Sequence, residues 1–113
     1  MRVLVCGGRD FNDANLVEET LNNIHEENTI TNLVHGGARG ADTLAGDWAN
    51  SRGIDVTYCP AKWDLYGKSA GMIRNAYMLT LNPDLVVAFP GGKGTANMVN
   101  LAKKRGVSVI VIG

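Results

Sequence analysis

Five short apolar runs rich in valine, leucine and isoleucine recur along the chain, at Arg2–Cys6, Asn32–His35, Asp55–Cys59, Leu85–Phe89 and Ser108–Ile112. Their apolar residues are nearly continuous, without the alternation of a strand that keeps one face in water. Such runs read as strands buried on both faces, as in a parallel sheet covered by helices on both sides.

The segments between them carry helical patterns. Asp13–Glu27 places Val17, Leu21 and Ile24 on one face and turns Glu18, Glu19, Asn22 and Glu26 outward. Arg39–Ser51 places Leu44, Ala45 and Trp48 together, with Gly53 just past its end as a C-terminal cap. Ser69–Leu81 starts at a capping serine and is stopped by Asn82-Pro83. Gly94–Arg105 ends in Lys103-Lys104-Arg105, which suits the negative end of the helix dipole, and then Gly106. The order β-α-β-α-β-α-β-α-β, with only Pro60–Lys68 as a longer connection, predicts a three-layer α/β fold. Right-handed crossovers put every strand-to-helix loop on the same sheet edge.

The 113 residues suit one domain spanning residues 1–113. A zero net charge gives no overall field to hold a nucleic acid or an anionic membrane. No apolar run has the length of a membrane span, and Met1–Val5 is too short and too strand-like for a signal peptide, so a cytoplasmic protein is expected. Cys6 and Cys59 each fall near a strand end. On strands that are not neighbours they stand two spacings of about 4.8 Å apart, beyond the roughly 7 Å limit of a disulfide. Two free thiols are expected. The two histidines and two cysteines lack metal-ligand spacing, and no Ser-His-Asp or Cys-His pairing is evident.

Ten of the fourteen glycines fall in the strand-to-helix segments or the first turns after them. So do Arg9, Arg39, Lys62, Lys68, Arg74 and Lys93, six of the eleven basic residues. Ligands of open α/β sheets bind at this edge. Glycine lets backbone N–H groups approach a phosphate, and helix N-termini add positive potential.

Four segments carry this chemistry. Cys6-Gly7-Gly8-Arg9-Asp10-Phe11 lacks the third glycine of G-x-G-x-x-G, and strand two ends in His35, not in a ribose-binding acid, so a standard NAD site is excluded. Arg9 is suited to grip a phosphate bidentately, or pairs structurally with Asp10 or Asp42. His35-Gly36-Gly37-Ala38-Arg39-Gly40-Ala41-Asp42 lacks the Gly-Lys-Ser/Thr of a P-loop. In it, Asp42 serves the helix dipole, accepts from a ribose, or orients Arg9, while His35 reads as packed or backbone-bonded. Pro60–Asn75 holds Trp63, either a base-stacking residue or a lid on the core, and Arg74, whose place in the second helical turn favours an anionic partner. Phe89-Pro90-Gly91-Gly92-Lys93-Gly94-Thr95 runs a buried strand through a glycine turn into a helix start. Its N–H groups and the Thr95 hydroxyl suit a phosphate.

Together, Gly7–Phe11, His35–Asp42, Gly71–Asn75 and Pro90–Thr95 resemble, in order, motifs of the SLOG superfamily, which is related to the cytokinin-activating LOG proteins and the DNA-processing protein DprA. The likeness is greatest to its small YspA-like branch and covers nearly the whole chain. It implies a Rossmann-like αβα sandwich with a mostly parallel sheet in the order 3-2-1-4-5 and a nucleotide-derived ligand at the glycine loops. That order would open a crevice between strands one and four, flanked by Arg9 and Gly92. It also implies a homo-oligomer and a bacterial or phage setting, often in sensing or effector roles. Enzymatic LOG members use Pro-Gly-Gly-x-Gly-Thr-x-x-Glu and an arginine on the preceding helix to split nucleoside monophosphates at the N-glycosidic bond. Arg74 matches that arginine, but Asn75 replaces the lysine that commonly follows, and Met98, preceded by Asn97, replaces the glutamate. Methionine neither moves a proton nor stabilises an oxocarbenium ion.

The expectation is a nucleotide-binding module needing no further cofactor. Gly91, Gly92, Lys93, Gly94 and Thr95 hold a phosphate. Gly36, Gly37, Arg39 and Asp42 hold a second phosphate or the ribose, and Gly7, Gly8, Arg9 and Arg74 complete the site. If the chain is instead a hydrolase, Asp10, Asp42 and Arg74 are the residues to carry it. Single-stranded DNA binding, by analogy with DprA, is disfavoured by the neutral charge and the single candidate stacking tryptophan.

Overall fold

Strand burial decides the architecture. The computed structural model describes residues Met1–Gly113. Strands β1 (Arg2–Cys6), β2 (Asn32–His35), β3 (Asp55–Tyr58), β4 (Leu85–Ala88) and β5 (Ser108–Val111) form one sheet in the order β3-β2-β1-β4-β5. Every neighbouring pair is parallel. β1 lies at the centre, with Val3 in register with Leu33 on one side and Leu85 on the other.

Successive residues of the central strands feed two separate cores, because side chains alternate across a strand. Val3, Val5, Leu33 and Val87 pack with Val17 and Leu21 of α1 (Ala14–Glu27) and with Ala41, Ala45, Trp48 and Ala49 of α2 (Ala41–Ser51). Leu4, Cys6, Val34, Val86 and Ala88 pack with Met78 and Leu79 of α4 (Ala70–Thr80) and with Met98 and Ala102 of α5 (Lys93–Lys104). The continuous apolar runs are thus two interleaved half-strands, one for each helical layer. Both cysteines are free and buried. No helix is long and apolar enough to cross a membrane.

The expected strand ends differ from the observed ones by one residue at β3, β4 and β5. The ladder nevertheless continues through Cys59, Phe89 and Ile112, whose N–H groups donate to the carbonyls of His35, Cys6 and Ala88. Asp13 caps α1 through Oδ1, which accepts from the Leu16 N–H at 3.0 Å. Gly53 and Gly106 take positive φ just past α2 and α5. The Pro60–Lys68 connection is not irregular throughout. It holds a four-residue helix, α3 (Trp63–Tyr66), and a 3₁₀ turn over Gly67–Ser69. This turn leads straight into α4, so Ser69 is already helical in φ and ψ and makes no side-chain capping bond.

Candidate functional site

Three glycine loops meet above β1, β2 and β4 and hold each other. The Gly8 N–H donates to the Pro90 carbonyl at 2.9 Å, and the Gly8 carbonyl accepts from Phe11 and Ala41. A methyl group on Gly8 would stand 3.0 Å from the Pro90 oxygen, and one on Gly91 would stand 2.6 Å from the Gly8 nitrogen. Gly40 has φ +88 and lies against the Gly8 and Arg9 backbone, so any side chain there is both strained and obstructed. Gly7, Gly8, Gly40 and Gly91 therefore serve loop-on-loop packing. At Gly92 and Gly94 nothing comes within 4 Å of an added methyl group, so their surfaces face open space.

The loops differ in what their backbone offers. In the β2–α2 loop, Gly36 N–H and Ala38 N–H donate to Asp42 Oδ2 at 3.0 and 3.3 Å. Gly37 N–H donates to His35 Nδ1 at 3.0 Å. All three amides are engaged within the protein. Asp42 is the anchor that shapes this loop, and His35 is the backbone-bonded, packed histidine anticipated from sequence. At the β4–α5 junction the N–H groups of Gly91, Gly92, Lys93, Gly94 and Thr95 have no protein acceptor, and the Gly92 cap supplies no side chain. Five consecutive donors at a helix N-terminus form an anion cradle.

The cradle opens on a cleft of about 710 Å³ beyond the ends of β1 and β4, within the span typical of small-molecule sites. Arg9, Lys68, Arg74 and Lys93 line it, with Asp42 as its one carboxylate. Among the sequence-predicted residues, Gly7, Gly8, Arg9, Asp42, Arg74, Gly92, Lys93, Gly94 and Thr95 converge here. A second hollow of about 410 Å³ takes Gly36, Gly37 and Arg39. Gly91 and Asp10 line neither. Asp10 instead pairs with Arg39 at 3.5 Å on the open surface. Arg9 makes no ion pair, and its candidate partners Asp10 and Asp42 are engaged elsewhere.

Arg74 turns inward. Its Nη1 donates to the Gly36 carbonyl at 2.7 Å and to Cys59 at 3.4 Å, and its Nε donates to Asn75 Oδ1 at 3.1 Å. Strand-end carbonyls thus account for part of its charge, while Nη2 makes no protein hydrogen bond. Asn75 is buried, and its Nδ2 donates to the Gly94 carbonyl at 3.2 Å and to Asn97 Oδ1 at 3.0 Å. It ties α4 to the first turn of α5. Met98 is fully buried in the core. Beyond its first turn α5 lines the cleft with Asn97 and Asn100, in line with Lys93 at i, i+4, i+7. That polar stripe was the available sequence signal for Asn97 and Asn100. Trp63 is 53% exposed at the cleft and does not cover the core.

Burial sets the titration of the site. It pushes Asp42 up to about 6, against the pull of the Ala38 and Gly36 amides and of Arg74. It pushes the Cys6 thiol up to about 12, with the Asp42 charge adding to this, so Cys6 on the cleft wall is no nucleophile near neutrality. Burial lowers His35, keeping it neutral with Nδ1 as an acceptor.

A family model described as YspA, cpYpsA-related SLOG family matches residues 1–66. The chain belongs to this family. It is also 38% identical over 120 residues to the Gene 61 protein of Mycobacterium phage D29, covering 99% of this chain and 96% of that protein. Membership of this SLOG family fits a nucleotide-related role in binding or processing.

Proposed function

We propose that this SLOG protein binds a phosphate-bearing nucleotide or nucleotide-derived small molecule, as a sensor or a sequestering module. The observation that carries this reading is the run of five unpartnered N–H groups from Gly91 to Thr95, in which Gly92, Lys93, Gly94 and Thr95 line a cleft with four cationic side chains and one carboxylate. A phosphate accepts several of these donors at once. Arg9 and Lys93 are free to close on its remaining oxygens with charge-assisted bonds.

One observation favours a second reading, N-glycosidic hydrolysis. A carboxyl group with a raised pKa, Asp42, lies in the cleft wall. Its Oδ2 is committed to the Gly36 and Ala38 amides, however, and Met98, at the position of the hydrolase glutamate, is in the core. Binding without turnover is the better-supported activity.

The test is a thermal-shift screen against mononucleotides, ADP-ribose and cyclic nucleotides, with each hit recovered by chromatography. A ligand at about a hundred times its Kd adds roughly 2.7 kcal/mol, several degrees in Tm for a domain of this size. Intact recovery is expected; free base and ribose phosphate would instead establish the hydrolase. Gly92→Asp is the decisive variant. An aspartate at this cap has open space and bonds the first-turn amides itself, so Tm holds or rises by the equivalent of roughly a few tenths of a kcal/mol. The same carboxylate fills the anion cradle, and the ligand-induced shift disappears.

A further inference from the structure

The cleft is divided. Its larger compartment lies beyond β1 and β4, and the smaller one, of about 410 Å³, lies beyond β2 and β3. Arg9, Ala38, Trp63 and Arg74 line both and so form the common wall. The two sides offer different chemistry. The free amides stand only on the larger side. On the smaller side the amides of Gly36, Gly37 and Ala38 are already bonded within the protein.

What the smaller compartment offers is a prepared aromatic wall. Tyr58 stands at the end of β3 with 58% of its surface exposed. Its ring lies on Gly37, where a methyl group would run into the ring, and it meets the His35 ring edge-on at 5.6 Å and 85°. His35 is buried and itself fixed by the Gly37 N–H. Tyr58 is therefore supported from behind and open in front. Trp63 and Pro60 face the same space. Supported, exposed aromatic rings are stacking platforms for nucleobases. Arg74, on the common wall, keeps Nη2 uncommitted where the two halves of a ligand would join.

We infer that the ligand is two-headed: two nucleoside units joined through one or more phosphates. One phosphate sits in the Gly91–Thr95 cradle with its nucleoside in the larger compartment, and the second base stacks on Tyr58. A mononucleotide leaves the smaller compartment unused. This inference rests on the nucleotide-binding reading above and specifies its ligand class.

Calorimetric titration of the whole chain with AMP, diadenosine polyphosphates and cyclic di-AMP tests it. At least one two-headed ligand is expected to bind roughly tenfold or more tightly than AMP, the scale of one base–aromatic stack. Tyr58→Ala, at an exposed position, is expected to erase that advantage while leaving AMP affinity unchanged, and Tyr58→Phe to keep it. Equal affinity for AMP and every two-headed probe overturns the inference, as does an advantage that survives Tyr58→Ala. In both cases AMP binding that is lost in Gly92→Asp keeps the nucleotide reading itself intact. Failure of every probe, AMP included, removes both.

Discussion

Asp42 and His35 shape the same loop and respond to pH in opposite senses. Asp42 titrates near 6 in the folded chain and near 3.8 when free. Its contribution to stability is whole below the lower value and is lost as pH rises through the upper one, about 3 kcal/mol for a shift of this size. His35 is lowered from 6.5, so its contribution is present above that value and is lost as pH falls. The slopes oppose each other, and a wild-type curve alone conceals both. Asp42→Asn keeps an acceptor for the Gly36 N–H and does not titrate. The stability of the variant relative to wild type should climb between about pH 4 and pH 6 and then level off; a flat difference in thermal unfolding would show that Asp42 does not titrate there. His35 was legible as a packed, backbone-bonded residue because it ends an apolar strand. The role of Asp42 was not, because it depends on a loop folding back onto the helix that follows. Tyr58, at the end of a strand that reads as buried, gave no sign that its ring stays open.

At the scale of elements, two helix starts that look alike in sequence behave differently. Asp13 caps α1 with a real hydrogen bond, whereas Ser69 ends a 3₁₀ turn and bonds no amide. Asp13→Ala should lower unfolding free energy by about 1 kcal/mol and Ser69→Ala by little, measured by urea denaturation. Equal losses would contradict the capping geometry. The five strands and four long helices were readable because apolar residues repeat along each of them, but the expectation of burial on both faces holds only for the inner strands, since the edge strands β3 and β5 bury no residue fully. α3 was not. Four residues are too few to show a period, and Trp63, Leu65 and Tyr66 are all exposed, so no buried stripe marks it. The segment was therefore read as a site loop with Trp63 at issue, but not as a helix. The glycine loops were legible as a group, but not their division of labour. Whether a glycine packs on another loop, like Gly91, or faces open space, like Gly92, is settled by neighbours distant in sequence.

For the whole molecule, the strand order came from family likeness and agrees with the sheet, because a valine-rich run records its burial but not its neighbours. The outer surface carries one further pattern. Leu65, Tyr66, Met72, Ile73 and Tyr77 are large apolar side chains, each more than two-fifths exposed, on α3 and α4. The outward stripe of α4 continues through Ala76 and Thr80 without a charge, since Arg74, its only charged residue, turns inward. The α4 part of this face carries no charge, while Asp64 and Lys68 are exposed in α3 and the 3₁₀ turn; an uncharged helix face meets its own copy without repulsion or a stranded ion, and we propose a homo-oligomer through α4. Light scattering should find more than one copy per particle at micromolar concentration, and Ile73→Glu with Tyr77→Glu should give a monomer of similar Tm. A wild-type monomer would rule this out.

The mutual clasp of Gly8, Gly40 and Gly91 has a bearing on what the protein is good for. The Pro90–Gly91 end of the five-amide cradle is held in shape by neighbouring turns, so that end stands ready before anything arrives, and less ordering entropy is lost on capture. A backbone already set has little reason to change shape when it is filled. Of the two roles proposed above, such a backbone suits sequestering better than sensing through a change of shape, and under the sensing reading any message about occupancy leaves through side chains at the rim of the cleft.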